Sequence, residues 1–173
     1  DEAMQVRAQI GMVSHKPLLY GELTAYENLD FFAGMYNLPD GEERNERIMS
    51  LLERVGLKKR TYDLARTFSR GMQQRLSIAR ALLHDPDVLL FDEPYTGLDQ
   101  QAGGTLDSLL ETAREGGRTI VMATHQLERA ARLSDRVVII SRGKVAHDGI
   151  TAGMDGITLA ATYAEVTGEV SAR

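Results

Sequence analysis

The stretch that decides the fold is DVLLFDEPYTGLD, Asp87–Asp99, in which an apolar run is followed by two acids, a proline and a Gly-Leu-Asp turn. A short apolar run bounded by turn residues is typical of a strand that is buried on both faces. Asp92 and Glu93 then lie at the carboxyl end of that strand, where ligands bind in open parallel sheets. Because carboxylates repel phosphate, a phosphorylated ligand at this position would need a cation between them.

The residues after this stretch continue an alternation of strand and helix. In chain order the segments are DVLLFDE, LDQQAGGTLDSLLETAREG, RTIVMATH, QLERAARLS and DRVVIIS. This order predicts a parallel sheet with right-handed crossovers, and the continuously apolar strands predict that both faces are covered. SRGKVAHDG indicates a turn and a short final strand, and the tail contains a weak helix around residues 159–165.

A helical region separates an earlier strand, AQIGMVS at 8–14, from this alternation. Thr24 with Glu27 is a capping-box pattern, and Asp40 with Glu43 repeats it, so each pair predicts the start of a helix. A third helix is predicted to start after Ser69, with its leucines facing inward.

Composition excludes several classes of protein. The chain has 173 residues, 43% of them hydrophobic, which is enough for one globular core. No apolar run approaches the roughly 20 residues that cross a bilayer. The net charge of −5 argues against a nucleic-acid surface, and the absence of cysteine excludes disulfides and thiolate metal sites.

Polar groups at the predicted strand ends suggest a specific chemistry. Asp92 can anchor Mg²⁺ near a triphosphate, because this cation needs few protein ligands and keeps its waters. Glu93 can orient or deprotonate a water, and His125 can donate a hydrogen bond to the developing charge. Taken singly, the same residues fit equally well an acid pair that caps a strand and an ordinary surface histidine.

The combination of motifs resembles one family. FSRGMQQRLSIARALLHDPDVLLFDEPYTGLD, Phe68–Asp99, is similar almost end to end to the signature-to-Walker-B segment of ATP-binding-cassette (ABC) ATPases. FSRGMQQR resembles the family signature, VLLFDEP its Walker B, TGLD its D-loop, and ATH, ending at His125, its H-loop. The resemblance implies a P-loop NTPase (RecA-like) α/β core with an inserted helical subdomain, and ATP and Mg²⁺ as ligands.

The signature also has a physical interpretation of its own. Ser69 and Gly71 lie at a predicted helix start, where free N–H groups attract anions and glycine allows close approach; an ordinary serine N-cap is the alternative. Arg70 and Met72 replace the usual Gly and Gln. The resemblance implies that these four residues and Asp99 contact a nucleotide held by a second ABC subunit, in a homo- or heterodimer.

His15 occupies the position where the family usually has the Q-loop glutamine. A neutral imidazole could act there through a water, whereas a protonated one would repel the metal. The surrounding SHKPLLYGELTAYENL resembles the ATPase subunit of heme exporters in cytochrome c maturation, and through it we expect heme export.

The phosphate-loop pattern Gly-x-x-x-x-Gly-Lys-Ser/Thr does not occur in the sequence. We therefore expect an ABC ATPase domain that is incomplete at the N-terminus, without the phosphate loop and the β-subdomain. Residues 1–173 are expected to comprise an α/β core at 8–20 and 86–150, a helical subdomain at 21–85 that carries the signature, and a tail at 151–173. Such a chain alone should be inactive.

The resulting hypothesis is an ATP-hydrolysing subunit of an ABC transporter, working with an integral membrane subunit. We expect a cytoplasmic protein, peripheral on the inner face of the cell membrane, with no nucleic acid as partner. The alternatives are a soluble ABC ATPase of translation or DNA repair and a non-catalytic regulatory ABC domain.

Overall fold

The fold is that of a computed structural model, which describes residues 2–14 and 16–168. The chain divides into two compact units, Asp1–Ala123 and Thr124–Arg173. The domain boundaries expected from the family resemblance stay a prediction.

A parallel sheet organises the first unit. Its three strands are β1 (Ile10–Val13), β2 (Val88–Asp92) and β3 (Thr119–Ala123), hydrogen-bonded in the order β1-β2-β3. Both pairings are parallel. The carboxyl ends of the strands therefore share one edge, with the end of β2 in the middle, and the predicted α/β class with a parallel sheet is confirmed.

Among the described residues of this unit are five α-helices and, between the third and fourth of them, two 3₁₀ helices at Lys58–Arg60 and Ala65–Thr67. The α-helices are α1 (Glu2–Ala8), α2 (Ala25–Met35), α3 (Glu42–Arg54), α4 (Arg70–Leu82) and α5 (Gln100–Glu115). The helices and β2 contribute leucines that are almost fully excluded from solvent: Leu29, Leu52, Leu76, Leu83, Leu89 and Leu106. Burial of a leucine stabilises a fold by about 1.5–3 kcal/mol, so these side chains form the core of the unit.

One of the two predicted capping boxes is present. The Thr24 hydroxyl accepts from the Glu27 N–H at 3.1 Å, and the Glu27 carboxylate accepts from the Thr24 N–H at 2.8 Å, at the start of α2. The prediction of a capping box at Asp40 is wrong, because the N-cap of α3 is Gly41 and no side chain makes a capping hydrogen bond there. Asp40 instead accepts from the Gly41 N–H at 2.9 Å and lies 3.7 Å from the Arg44 guanidinium, so its carboxylate is already used.

The second unit contains α6 (Leu127–Leu133), β4 (Arg136–Ser141), β5 (Lys144–Ile150) and α7 (Gly156–Thr167). The prediction that DRVVIIS joins the parallel sheet is wrong, because β4 pairs with β5 in an antiparallel sheet of two strands. The two residues between these strands both have positive φ, 51° and 74°, as a tight hairpin requires. The predicted final strand and tail helix are both present.

The expectation that apolar strands are covered on both faces is also wrong for β3. Its residues alternate between exposed and partly buried, and Val121 is 56% exposed. Within the described part of the chain, no helix is both long and apolar enough to cross a membrane.

Candidate functional site

The central strand brings the two acids to the shared edge of the sheet. Asp92 is the last residue of β2, lies opposite Ala123 of β3, and is exposed. Glu93 leaves strand geometry, with a φ of 49°. Its N–H donates to the Ala123 carbonyl at 2.9 Å, and its carbonyl accepts from the Thr96 N–H at 3.1 Å. The chain therefore turns away from the sheet at the second acid.

This turn holds strained backbone. A non-glycine residue with positive φ costs on the order of 1–3 kcal/mol and persists only where its surroundings hold it. Here the buried Tyr95 hydroxyl donates to the Asp107 carboxylate on α5 at 2.7 Å. The Leu98 N–H donates to the Tyr95 carbonyl at 3.1 Å. These bonds fix the turn that follows Glu93.

The signature segment begins α4. Ser69 is the N-cap, and its hydroxyl accepts from the Met72 N–H at 3.3 Å. Ser69 and Arg70 are exposed, whereas Gly71 and Met72 are partly buried. The predicted serine cap is therefore present, and the first turn of the helix stays accessible at its exposed end.

The start of α4 packs directly on the turn after Glu93. A Cβ atom on Gly71 would lie 2.7 Å from the Gly97 carbonyl oxygen, closer than real Cβ contacts come. A Cβ atom on Gly97, whose φ is 79°, would lie 3.1 Å from Cγ of Arg70. One helical turn further on, the buried Gln74 amide donates to the Pro94 carbonyl at 3.0 Å.

A cavity of about 510 Å³ lies between these two segments. Its lining residues come from α4 and the residue before its cap, from the turn after β2, and from the segment after β1: Phe68, Arg70, Gln73, Gln74, Glu93, Thr96 and Pro17. Glu93, the candidate general base, and Arg70, one of the two unusual residues of the signature, therefore line the same cavity.

The middle of α4 holds the segment on either side of position 15. The Ser77 hydroxyl donates to the Pro17 carbonyl at 2.8 Å. The Arg80 guanidinium donates to the carbonyls of Leu18 at 3.1 Å and Met12 at 2.8 Å, and burial lowers its pKa. His15 itself lies outside the described residues, so its predicted role stays a prediction.

The remaining predicted residues have separate positions. Asp99 is the N-cap of α5 and accepts from the Ala102 N–H at 2.8 Å. His125 is exposed in the second unit, where its carbonyl accepts from the Leu127 N–H at 3.1 Å. The structure thus brings Glu93 and Arg70 of the signature to one cavity in the first unit, with Asp92 directly before Glu93, while the convergence of His125 with them stays a prediction.

Sequence reasoning missed Gln74, Tyr95 and Arg80. A signal for two of them exists in the sequence, since α4 carries Gln74, Ser77 and Arg80 among its apolar residues and all three are buried. A polar side chain on a buried helix face needs a hydrogen-bond partner. Tyr95 gives no such signal, because a turn has no periodic pattern from which the burial of its tyrosine could be predicted.

The donor set at the edge of the sheet fits a magnesium ion that is shared with a ligand. Within the described residues, no three His, Asp or Glu side chains come together as a metal cluster. Asp92 is an exposed carboxylate next to Glu93, which lines the cavity. Mg²⁺ is commonly bound by one or two carboxylates plus phosphate oxygens, so a single acid is sufficient here.

Comparison with known proteins decides the family. The family model described as ABC transporter matches residues 1–96. The linearmycin resistance ATP-binding protein LnrL of Bacillus subtilis is 38% identical over 83% of this chain and 46% of its own length. The solved ATP-binding subunit of an ABC transporter superposes with a TM-score of 0.85 at 32% identity, covering 95% of this chain and 71% of that structure. The chain belongs to the ABC transporter family.

A second solved structure is a dimeric ATP-binding cassette, MJ0796, in a post-hydrolysis state bound to ADP and Pi. It has a TM-score of 0.79 and 31% identity, and covers 87% of this chain and 67% of that one. The predicted class of enzyme, an ABC-type ATPase, is therefore confirmed at the level of the family. The match to LnrL covers about half the length of that protein.

Proposed function

We propose that this chain is the ATP-binding and ATP-hydrolysing subunit of an ABC transporter and acts in a head-to-tail dimer with a second ABC subunit. The observation that carries the proposal is the packing of the signature helix onto the turn that follows Asp92 and Glu93. Two elements that serve nucleotide chemistry in the family are thereby joined in one unit. The dimeric relative with ADP and Pi supports the same reaction.

Within the chain's own site, Asp92 would hold Mg²⁺, which when bound supplies neutralisation of phosphate charge. Glu93 orients the attacking water and accepts its proton as the terminal phosphoryl group is transferred. His125 donates a hydrogen bond to the charge that develops on that group. His15 would sense the occupied site from the Q-loop position.

Toward the other subunit, the chain offers its signature and D-loop. The first turn of α4 has N–H groups and the positive end of the helix dipole, which favour phosphate. Ser69, Arg70, Gly71 and Met72 would contact the nucleotide of the second subunit, with Arg70 adding a cation. Asp99 would complete that composite site.

An exposed apolar patch is our candidate contact with an integral membrane subunit. Leu18 is 56% exposed, Tyr20 49%, Phe31 43% and Met35 60%. Tyr20 and Phe31 meet edge to face, with ring centroids 4.9 Å apart. Clustered exposed aromatic residues are typical of interfaces. With the membrane subunit bound at this patch, the chain would lie peripherally on the cytoplasmic face of the membrane.

The other hypotheses have less support. Heme export is not supported, since the relative described above serves linearmycin resistance. An ABC ATPase of translation or DNA repair is disfavoured by the net charge of −5. A regulatory domain without catalysis would not need Glu93, which the structure holds in strained backbone beside a cavity. We retain as proposals the core at 8–20 and 86–150, the helical subdomain at 21–85 and the tail at 151–173.

The proposal predicts different behaviour for the chain alone and in a pair. The 173 residues contain no phosphate-loop pattern, so the chain alone should bind ATP weakly and hydrolyse none above background. Linked in tandem to an intact ABC subunit whose own signature serine is replaced, the chain should restore ATP hydrolysis. The measurement is phosphate release, with ATP binding followed by calorimetry.

The control is a pair of matched substitutions. Ser69→Arg should abolish the restored turnover, whereas Ser108→Arg, at an exposed serine of α5, should leave it unchanged. A folded tandem protein without turnover would contradict the proposal. Micromolar ATP affinity of the chain alone, or hydrolysis by it that Glu93→Gln abolishes, would contradict the prediction that the chain alone is inactive.

A further inference from the structure

We infer that Gln74 is a positioning residue that holds the signature and the D-loop at a fixed spacing, so that both reach the other subunit's nucleotide together. The inference rests on the proposed function, because it assigns a role within the composite site. It concerns a residue near the end of FSRGMQQR to which the proposed function gave no role.

The contact between the two segments has two parts. At its exposed end, Gly71 and Arg70 of α4 pack on Gly97 through van der Waals contact. At its buried end, Gln74 donates to the Pro94 carbonyl at 3.0 Å. The glycine contact prevents α4 and the turn from coming closer, but it does not keep them from moving apart. The buried hydrogen bond opposes their separation and also fixes the orientation of the Pro94 carbonyl toward α4.

Gln74 is well suited to this role because its side chain is itself constrained. The residue is 8% exposed and lies in the second turn of a helix whose following residues are almost entirely buried. The loss of its amide would leave the Pro94 carbonyl without this buried donor. The turn after β2 could then shift relative to α4 while both elements keep their own folds.

The consequence for catalysis follows from the position of Pro94. It lies between Glu93, which serves the chain's own site, and Asp99, which would serve the other site. Misplacement of a positioned group by about 1 Å can lower a rate by as much as about 100-fold. A looser turn should therefore slow the chemical step at the composite site and leave ATP affinity unchanged, since the other subunit's phosphate loop provides that affinity.

The test uses the tandem protein described above, with Gln74→Met compared with Gln5→Met. Gln5 is an exposed glutamine of α1 and belongs to none of the motifs. We expect Gln74→Met to lower kcat about 10-fold with KM within about 2-fold, as loss of a positioning contact predicts. Gln5→Met should change neither constant by more than about 2-fold. Gln74→His, which keeps a ring N–H donor, should recover most of kcat.

Hydrogen exchange on the chain alone gives a second readout that does not need turnover. The Thr96 and Leu98 amides, which donate within the turn, should exchange faster in Gln74→Met than in Gln5→Met. Equal exchange in the two variants would overturn the inference.

The outcomes separate the two proposals. If the wild-type tandem protein is folded and inactive, the proposed function fails. If it is active and Gln74→Met equals Gln5→Met, or raises KM alone, the positioning role is wrong. If both Gln74 variants unfold by circular dichroism, the residue serves the stability of the fold and the inference is overturned.

Discussion

At the scale of single residues, Gly97 carries two constraints at once. Its φ of 79° lies in the left-handed region, and a Cβ at this position would lie 3.1 Å from Cγ of Arg70, which is a tight contact. Most glycines in turns satisfy only the first constraint. In this chain, the D-loop glycine is therefore also part of the contact surface of the signature helix.

Gly97→Ala should lower the free energy of unfolding by about 1–3 kcal/mol, because the alanine would have both a strained backbone conformation and a close contact with Arg70. Denaturant unfolding of the chain, followed by circular dichroism, measures the change. Gly104→Ala is the matched control, since a Cβ on this glycine of α5 meets no atom within 4 Å. That variant should gain about 0.5–1 kcal/mol of helix stability. A Gly97→Ala chain as stable as wild type would contradict the assigned contact.

At the scale of elements, the parts predictable from sequence are those specified by local chemistry. The Thr24 box, the Ser69 cap and the apolar strand before Asp92 each act within a few residues, and all are present. The Asp40 box was not predictable, because its carboxylate is used by Arg44, four residues on. The strand that pairs with β4 was not predictable either, since an apolar sequence does not show which neighbouring strand it pairs with.

The contacts within the candidate site were the least accessible to sequence reasoning. The bond from Gln74 to Pro94 spans 20 positions along the chain, and Gly71 meets Gly97 across a similar separation. The motifs indicate which residues matter but not which of them touch. The structure shows the contact between α4 and the turn after β2, on which the proposed positioning role of Gln74 rests.

His84 joins three elements of the first unit. It follows α4, its ring stacks on Tyr36 at the end of α2 with centroids 3.7 Å apart, and Nε2 lies 3.1 Å from the Ile10 carbonyl of β1. Its Nδ1 is buried and makes no hydrogen bond within the described part of the chain. The neutral ring fits this position better than the protonated one.

Stability should therefore fall in mild acid. Burial lowers the pKa of His84 below its ordinary value of 6.5, opposed by the Ile10 carbonyl, with smaller contributions from Arg47, Asp85 and Arg80. Between pH 6.5 and the lower folded pKa, the unfolded chain binds the proton and the folded chain does not. The contribution of neutral His84 to the free energy of unfolding is thus fully present above that pH range and is lost as the pH falls through it.

Denaturant unfolding at pH 7.5 and 5.5 tests this expectation. His84→Phe, which keeps an aromatic ring against Tyr36, should reduce the loss of stability at the lower pH. If His84→Phe loses as much stability as wild type, another group is responsible.

At the scale of the whole molecule, the sheet presents a strand edge that could pair with another chain. β3 is hydrogen-bonded to β2, and in the described residues it pairs with no other strand on its far side. Val121, in the middle of β3, is 56% exposed. Exposed β-branched residues on an edge strand are a common cause of association between chains.

Val121→Lys should therefore reduce concentration-dependent association, because a lysine on an edge strand opposes pairing with another strand. Sedimentation velocity over a range of concentrations measures this, and the free energy of unfolding should stay within about 0.5 kcal/mol of wild type. The added positive charge by itself acts the other way, since it lowers the repulsion between chains of net charge −5. Gln101→Lys, at an exposed position of α5, makes the same change of charge away from the sheet and should not reduce association. Equal association of the two variants would exclude the edge of β3 as the contact between chains.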